Sequence, residues 1–524
     1  MTMNQLYLVP LLGLTVAAFP GAAHADCPAV LAALGDRIAD ATCVASPDLT
    51  TAHPATTPAD NSVAGLPPGA FTPTTDRNVI SPDAPDRTPI TRAVPGLQVS
   101  GRFAGDPTGE ARFLLRLPAD WNGRLVVAGA SGTRSEHNGD FAWSDYVLQR
   151  GYAYASQNKG VLNLRIVSLA SPTAPDAASC RLNPASQIWV HFFDDDAEKP
   201  FTQWTQYMLE DARLARSAVF ANYHRHARFT YAVGTSNGGY QVRRAVEDAP
   251  ELFDGGVDWE GTFIDPRGPN LLIDLPPAIA NFPAYVASGF DPNSTAARNI
   301  EAAGYPPDLV SGTASLWGLY WGQFWEVTQC QWQKRFDPVF TTYTGGVNDI
   351  AGTGGYDYAA RAAADPAIAQ RLAQVATTGR IRRPLITVAG TMDALLPIER
   401  DARVYEALVR RAACEGHGHG HGACDDDHDR DHGRGHGERD DDRDRDHGPA
   451  YRLYEVQNGN HIETFKRTFP QLELIQPHAQ RAFELLVEHV EHHAELPPSQ
   501  CIPRGGAIAD GPAQPGHCAQ LLAP

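Results

Sequence analysis

Gly234-Thr235-Ser236-Asn237-Gly238 is a Gly-x-Ser-x-Gly pentapeptide that follows the apolar run Phe229–Val233 and precedes the amphipathic stretch Gln241–Asp248. A serine on a sharp strand-to-helix turn presents its Oγ as a nucleophile, and glycines flank it because neighbouring Cβ atoms would clash there. In a chain with 47 glycines the string alone is a weak signal. The strand before it and the helix after it separate it from an ordinary glycine-rich turn. A serine hydroxyl attacks a carbonyl only when a base takes its proton and an acid orients that base. Asp393 lies just past the apolar run Pro384–Ala389, and His461 lies just past the run Tyr451–Gln457. Serine, acid, histidine is the chain order expected of a nucleophile carried on such a turn. Asp337, Glu399 and Asp401 are alternative acids, and His478 or the group His489, His492 and His493 are alternative bases. The last group reads as a solvated helix face. A developing oxyanion needs N–H donors: one is the backbone of Asn237, and the other belongs to the loop Gly129-Ala130-Ser131-Gly132, with Ala130 as the candidate.

The elements that must position these groups follow from hydrophobic patterning. Leu97–Phe103 and Ala111–Leu117 read as a hairpin pair, and Arg124–Ala130 as a compact apolar strand. A helix over Phe141–Gln149, a strand over Gly151–Ser156, a helix over Phe201–Tyr223 and the strand Arg228–Val233 follow, then a short strand at Gly255–Trp259. The pattern resumes with the strand at Pro384, a helix over Arg400–Arg411, the strand at Tyr451 and a closing helix over Arg481–His493. Strands alternating with helices imply right-handed crossovers and a mostly parallel central sheet flanked by helices. Two antiparallel leading strands before a parallel run match the α/β-hydrolase layout. Residues 96–262 and 384–500 then form the catalytic core, and 263–383 is a large lid insertion over the active-site edge. The lid holds an aromatic stripe, Trp317, Tyr320, Trp321, Phe324 and Trp325, whose offsets of 3, 4, 7 and 8 place it on one helical face. It is either packing or a platform for a flat acyl group, with Trp317, Trp321 and Trp325 as the substrate-binding candidates.

The chain ends and the charge balance bound the rest. Residues 1–25 read as a signal peptide, because the apolar stretch Leu6–Phe19 is followed by Ala23-His24-Ala25, a cleavage-type tripeptide. Export implies an oxidising compartment, secreted or periplasmic. For the eight cysteines, sequence locality suggests Cys27–Cys43, Cys414–Cys424 and Cys501–Cys518, leaving Cys180 with Cys330. The last local pair would tie down a tail over 501–524. Residues 26–95 read as an extended N-terminal segment, rich in Pro, Thr, Ala and Asp beyond residue 44. Residues 415–448 hold seven of the 19 histidines, with twelve Asp or Glu and five Arg. A tract so poor in apolar side chains cannot offset its ordering entropy and reads as a solvated, disordered loop, either tolerated or an opportunistic divalent-metal binder. The net charge of −18 argues against a nucleic-acid partner, since phosphates need a basic footprint. No apolar run beyond the N-terminus reaches membrane-spanning length.

Four stretches carry a family resemblance: Trp121–Gly129, Arg150–Ser156, Ser236–Gln241 and Ala249–Gly256. Through them the chain resembles the tannase and feruloyl esterase-like branch of the α/β-hydrolase superfamily, over roughly Leu97 to His493. The resemblance implies hydrolysis of carboxylic esters, often of aromatic acids, with Ser236, Asp393 and His461 in the triad positions and no cofactor. The broader family includes enzymes acting on terephthalate esters. The family typically bridges a cysteine directly before the nucleophile to one directly after the histidine, and here those places hold Thr235 and Ile462. Specificity is therefore not carried across, and polyester oligomers such as those of 3-hydroxybutyrate stand beside aromatic-acid esters as substrates. The family's lid calcium site has no residue-by-residue counterpart, so no metal ligand is assigned.

The expectation is an exported serine esterase with a small or oligomeric ester as its partner. A serine peptidase using the same machinery, and a non-catalytic exported metal-binding protein whose working part is 415–448, are the rival readings. Deleting 415–448 separates the last from an esterase. Hydrolysis of a p-nitrophenyl ester should be unchanged, while any divalent-metal uptake measured by equilibrium dialysis should vanish.

Overall fold

The computed structural model describes residues 26–53, 81–132, 135–161, 164–166, 179–182, 188–191, 202–340, 355–416 and 450–524. The leader, residue 424 and nearly all of the 415–448 tract lie outside them.

Ten strands form one sheet: β1 (Ile38–Ser46), β2 (Gly96–Phe103), β3 (Arg112–Pro118), β4 (Arg124–Gly129), β5 (Ala153–Gln157), β6 (Phe229–Thr235), β7 (Gly255–Trp259), β8 (Leu385–Gly390), β9 (Tyr451–Val456) and β10 (Gln500–Ile502). Their spatial order is β1-β2-β3-β5-β4-β6-β7-β8-β9-β10. The pairs β1/β2, β2/β3 and β3/β5 are antiparallel. Every pair from β5/β4 through β9/β10 is parallel. Two-sided burial explains why the parallel strands read as continuous apolar runs. In β4, Leu125 and Val127 join the core on one face while Val126 and Ala128 join the core on the other. Helices α2 (Thr202–Tyr223) and α3 (Asn237–Asp248) cover the first face, contributing Met208, Val219, Val242 and Val246. Helix α7 (Gln476–His492) covers the second with Ala479, Phe483 and Leu486. Strand order, crossovers and layers are those of the α/β-hydrolase fold.

The N-terminal segment departs from the sequence expectation. Asp26 caps helix α1 (Cys27–Leu34), its carboxylate accepting the Ala29 N–H at 3.1 Å. β1 then adds an edge strand to β2, with a register shift between Ala39 and Thr42. β1 alternates half-buried and exposed residues and carries little apolar signal, so only its partner makes it a strand.

The described residues between β7 and β8 form a largely helical insertion, including α4 (Leu271–Ala287) and α5 (Glu326–Phe336), with its own aromatic core. The bridges Cys27–Cys43, Cys180–Cys330 and Cys501–Cys518 are formed, with Cα separations of 5.6, 6.2 and 4.7 Å. Cys180–Cys330 fastens α5 to the short strand Cys180–Arg181. Cys414 is disulfide-bonded as well. Among the described residues no helix is long and apolar enough to cross a membrane.

A buried charge cluster locks α3 to β7 and to the start of α6 (Ala402–Gly416). Arg243 Nε donates to Asp258 Oδ2 at 2.6 Å and Nη1 to Asp401 Oδ1 at 3.0 Å, with Asp401 Oδ2 accepting the Phe263 N–H at 2.7 Å. Burial pushes the Asp401 carboxyl up to about 7 despite the guanidinium beside it. Replacing Arg243 by Ala strands two buried carboxylates, which costs about 3–5 kcal/mol. Urea denaturation followed by circular dichroism should show that loss as a lower midpoint at unchanged slope.

Candidate active site

Three loops leave the carboxyl ends of parallel strands on one sheet edge. Ser236 ends β6 and starts α3, with φ 60° and ψ −124°. A non-glycine residue at such a backbone angle is strained, and the surroundings must hold it there. The Ser236 N–H donates to Trp259 O at 2.9 Å, and Ser236 O accepts from Tyr240 N–H at 3.0 Å. The flanking glycines are required by contact rather than by φ. A Cβ on Gly234 would stand 2.3 Å from Gly238 O, and one on Gly238 would stand 2.6 Å from Gly129 O. The elbow therefore forms only because three backbones meet without side chains between them.

Asp393 lies three residues past β8 and His461 five past β9, and the two meet. His461 Nδ1 is 2.8 Å from Asp393 Oδ2, both side chains being buried. Asp393 Oδ1 accepts the N–H groups of Leu395 at 2.7 Å and Leu396 at 2.9 Å, so the carboxylate is fixed before it reaches the ring. With Nδ1 engaged, Nε2 is the ring nitrogen left for a substrate or nucleophile. Neither His461 Nε2 nor Ser236 Oγ makes a hydrogen bond among the described residues. The hydrogen bond that the geometry shows is the one between His461 and Asp393.

The other carboxylates and imidazoles are committed elsewhere. Asp337 takes a bidentate Arg361 at 2.7 and 2.8 Å, Glu399 pairs with Arg403, and Asp401 belongs to the Arg243 cluster. His478 lies on α7, where burial lowers its pKa, and His489 Nδ1 contacts Ala494 O at 2.8 Å. His492 and His493 are exposed at the end of α7.

Two expectations need correction. The Ala130 N–H donates to Gln241 Oε1 at 3.0 Å, so it is not free for an oxyanion. Gln241, on the first turns of α3, reaches back across the Gly129–Gly238 contact, and it also accepts from Gln157 Nε2 at 3.2 Å. The Ser131 N–H is directed at Asn138 Oδ1, 3.2 Å away. Asn237, as the first residue of α3, has an N–H that no helical carbonyl can reach. The aromatic stripe is the second correction. Residues Leu316–Tyr320 are α-helical, but Trp321–Trp325 form a π turn, which rotates the following side chains off the expected face. Trp317 and Trp325 are fully buried, their indoles donating to Pro306 O at 3.0 Å and Ala394 O at 2.6 Å. They hold the insertion together and present no surface to a ligand. Trp321 is half-buried and stacks on Phe282 with centroids 4.9 Å apart.

Several contributors have no motif. Tyr320 OH donates to Asn460 Oδ1 at 3.0 Å, and Asn460 Nδ2 donates to Met392 O at 2.6 Å, so the insertion grips the residues directly before His461 and Asp393. The C-terminal tail clamps the same two loops. Asn458 bonds Ala523 N at 2.7 Å and Ala523 O at 2.9 Å, and Thr391 Oγ1 donates to Leu521 O. Glu260, the first residue past β7, places Oε2 3.4 Å from His461 Nδ1. The rule that selected Asp393, a carboxylate at a strand's carboxyl end, would have selected it too. Glu260, Asp393 and His461 are the one set among the described residues with metal-ligand spacing, their ligand atoms lying within 4.8 Å of one another. Protein donors already engage these carboxylates: Gly390 N–H and Trp259 Nε1 on Glu260, Leu395 and Leu396 N–H on Asp393.

Strand order and the three loop positions are those of the α/β-hydrolase fold. No protein-family model matches the chain. It is 29% identical over 182 residues to mono(2-hydroxyethyl) terephthalate hydrolase from Piscinibacter sakaiensis, a match covering 33% of this chain and 28% of that protein. Among solved structures it is similar to feruloyl esterase B from Aspergillus oryzae, at 13% identity and a TM-score of 0.45 over 82% of this chain and 87% of that one. It is also similar to tannin acyl hydrolase from Aspergillus niger, at 10% identity and a TM-score of 0.43 over 85% and 90%.

Removing residues 519–524 deletes the tail's hydrogen bonds to Thr391 and Asn458, each worth about 0.5–1.5 kcal/mol. The truncated chain should melt several degrees lower by calorimetry.

Proposed function

We propose that this chain is an exported serine hydrolase of carboxylic esters. The observation that carries the reading is the strained Ser236 elbow on the same sheet edge as the hydrogen-bonded His461–Asp393 pair. Ser236 Oγ attacks the ester carbonyl as His461 Nε2 takes its proton, and the imidazolium returns that proton to the leaving alcohol. Asp393, anchored by two backbone N–H groups, keeps Nδ1 protonated and offsets the ring's charge. Water then attacks the acyl-enzyme by the same relay in reverse. The oxyanion is received by the N–H of Asn237 and by that of Gly132, which has no competing acceptor among the described residues and replaces Ala130 in this role. Residues 263–383 act as a lid that packs directly on the acid and base loops.

The apolar, aromatic character of that insertion, with Trp321 and Phe324 among its half-buried rings, and the partial resemblance to a terephthalate ester hydrolase support the substrate class. Esters of aromatic acids fit best, with polyester oligomers as the second class. Export accords with the three bridges, since disulfides persist in oxidising compartments.

Ser236→Ala should abolish turnover of a p-nitrophenyl ester and covalent labelling by a fluorophosphonate while leaving the melting temperature within a few degrees. Retained turnover would refute the assignment. A panel running from gallate, ferulate and terephthalate esters to hydroxybutyrate oligomers then fixes the acyl group.

A further inference from the structure

Glu260 touches the catalytic histidine yet has no part in the mechanism above. It stands one residue past β7, and Asp393 stands three past the adjacent strand β8, with Trp259 paired to Val388 in register. Two neighbouring strands thus each deliver a carboxyl group to one ring nitrogen, Asp393 Oδ2 at 2.8 Å and Glu260 Oε2 at 3.4 Å from His461 Nδ1. The shorter contact is a hydrogen bond and the longer one lies beyond the usual N–H···O range, so Asp393 is the working partner.

Glu260 is held there deliberately. Its N–H donates to Val388 O at 3.0 Å, Oε1 accepts the Gly390 N–H at 2.9 Å, and Oε2 accepts the Trp259 indole N–H at 3.2 Å. Its backbone sits at φ 51°, a left-handed angle rare for a side-chain-bearing residue, and the side chain is 2% exposed. Two carboxyl groups this close in a dry pocket with one imidazole do not both ionise. Burial, and then the Asp393 charge, raise Glu260 well above the usual carboxylate range. Remove the charge on Asp393 and one of the causes that disfavour an ionised Glu260 is gone, with Oε2 already 3.4 Å from Nδ1.

We propose that Glu260 is a reserve acid for this triad, a positioning residue that flanks the His461 ring and takes over Nδ1–H when Asp393 is neutralised. This rests on the triad reading given under the proposed function.

The test is a double-mutant cycle in the full chain, with kcat measured on a p-nitrophenyl ester and melting temperature measured alongside. Glu260→Gln alone should lower kcat less than about tenfold. Asp393→Asn should lower it about 10²-fold, in place of the roughly 10⁴-fold loss known where no second acid stands by. The double variant should fall to that roughly 10⁴-fold loss, more than the product of the single effects. A proton NMR spectrum should keep the downfield His461 Nδ1–H resonance in Asp393→Asn and lose it in the double variant. Glu260→Asp, one methylene too short, should remove the reserve as Gln does and serves if the double variant fails to fold. Single effects that simply multiply, with the Nδ1–H resonance already lost in Asp393→Asn, would make Glu260 a packing residue and overturn the proposal. Full activity in the double variant, or in Ser236→Ala, would overturn the triad reading itself.

Discussion

Gly129, Gly234 and Gly238 bring three backbones to within contact at the carboxyl edge of the sheet, and the working parts of the molecule are arranged around that approach. It lets β6 turn into α3 with Ser236 at a left-handed angle, and it sets the β4 loop beside the start of α3. Gln241 then stitches the loop to the helix by accepting from Ala130, and its Nε2 donates to Trp204 O at 2.5 Å. A methyl group at any of the three glycines would collide with backbone, which cannot swing aside as a side chain can. The position of Ser236 is therefore a packing constraint first.

Asp393 and His461 reach that edge by other means. The family resemblance implies a bridge between the positions directly before the serine and directly after the histidine, and here Thr235 and Ile462 occupy those places. The described contacts substitute a web of weaker ties. Ser236 N–H bonds to Trp259 O, the next residue Glu260 flanks His461, Tyr320 and Asn460 link insertion to base loop, and the tail joins Thr391 to Asn458. The Cys501–Cys518 bridge anchors that tail near its start, so covalent restraint acts at one remove on the loops that carry Asp393 and His461.

Much of the fold was legible because parallel strands buried on both faces must be apolar throughout. RLVVAG, FTYAVGT and LITVAG stand out for that reason. The edge strand β1 was not, since its residues are half exposed and its hydrogen-bond partner lies more than 50 residues on. The stripe Trp317 to Trp325 was read as a straight α-helical face, and the π turn at Trp321 broke the period on which that reading relied.

From the sequence alone came the residue types and their chain order: a serine between glycines after a strand, an aspartate and a histidine past two later strands, and cysteines near enough in sequence to pair. These are local properties, encoded within a few residues of each group. Only the tertiary structure decided which polar groups were already spoken for. Ala130 is taken by Gln241, 111 positions away, Asp401 is taken by Arg243, and Glu260 shares His461 with Asp393. Hydrogen bonding and charge pairing between distant segments leave no periodicity in the chain, because they depend on where the sheet brings the loops and not on what lies beside each residue.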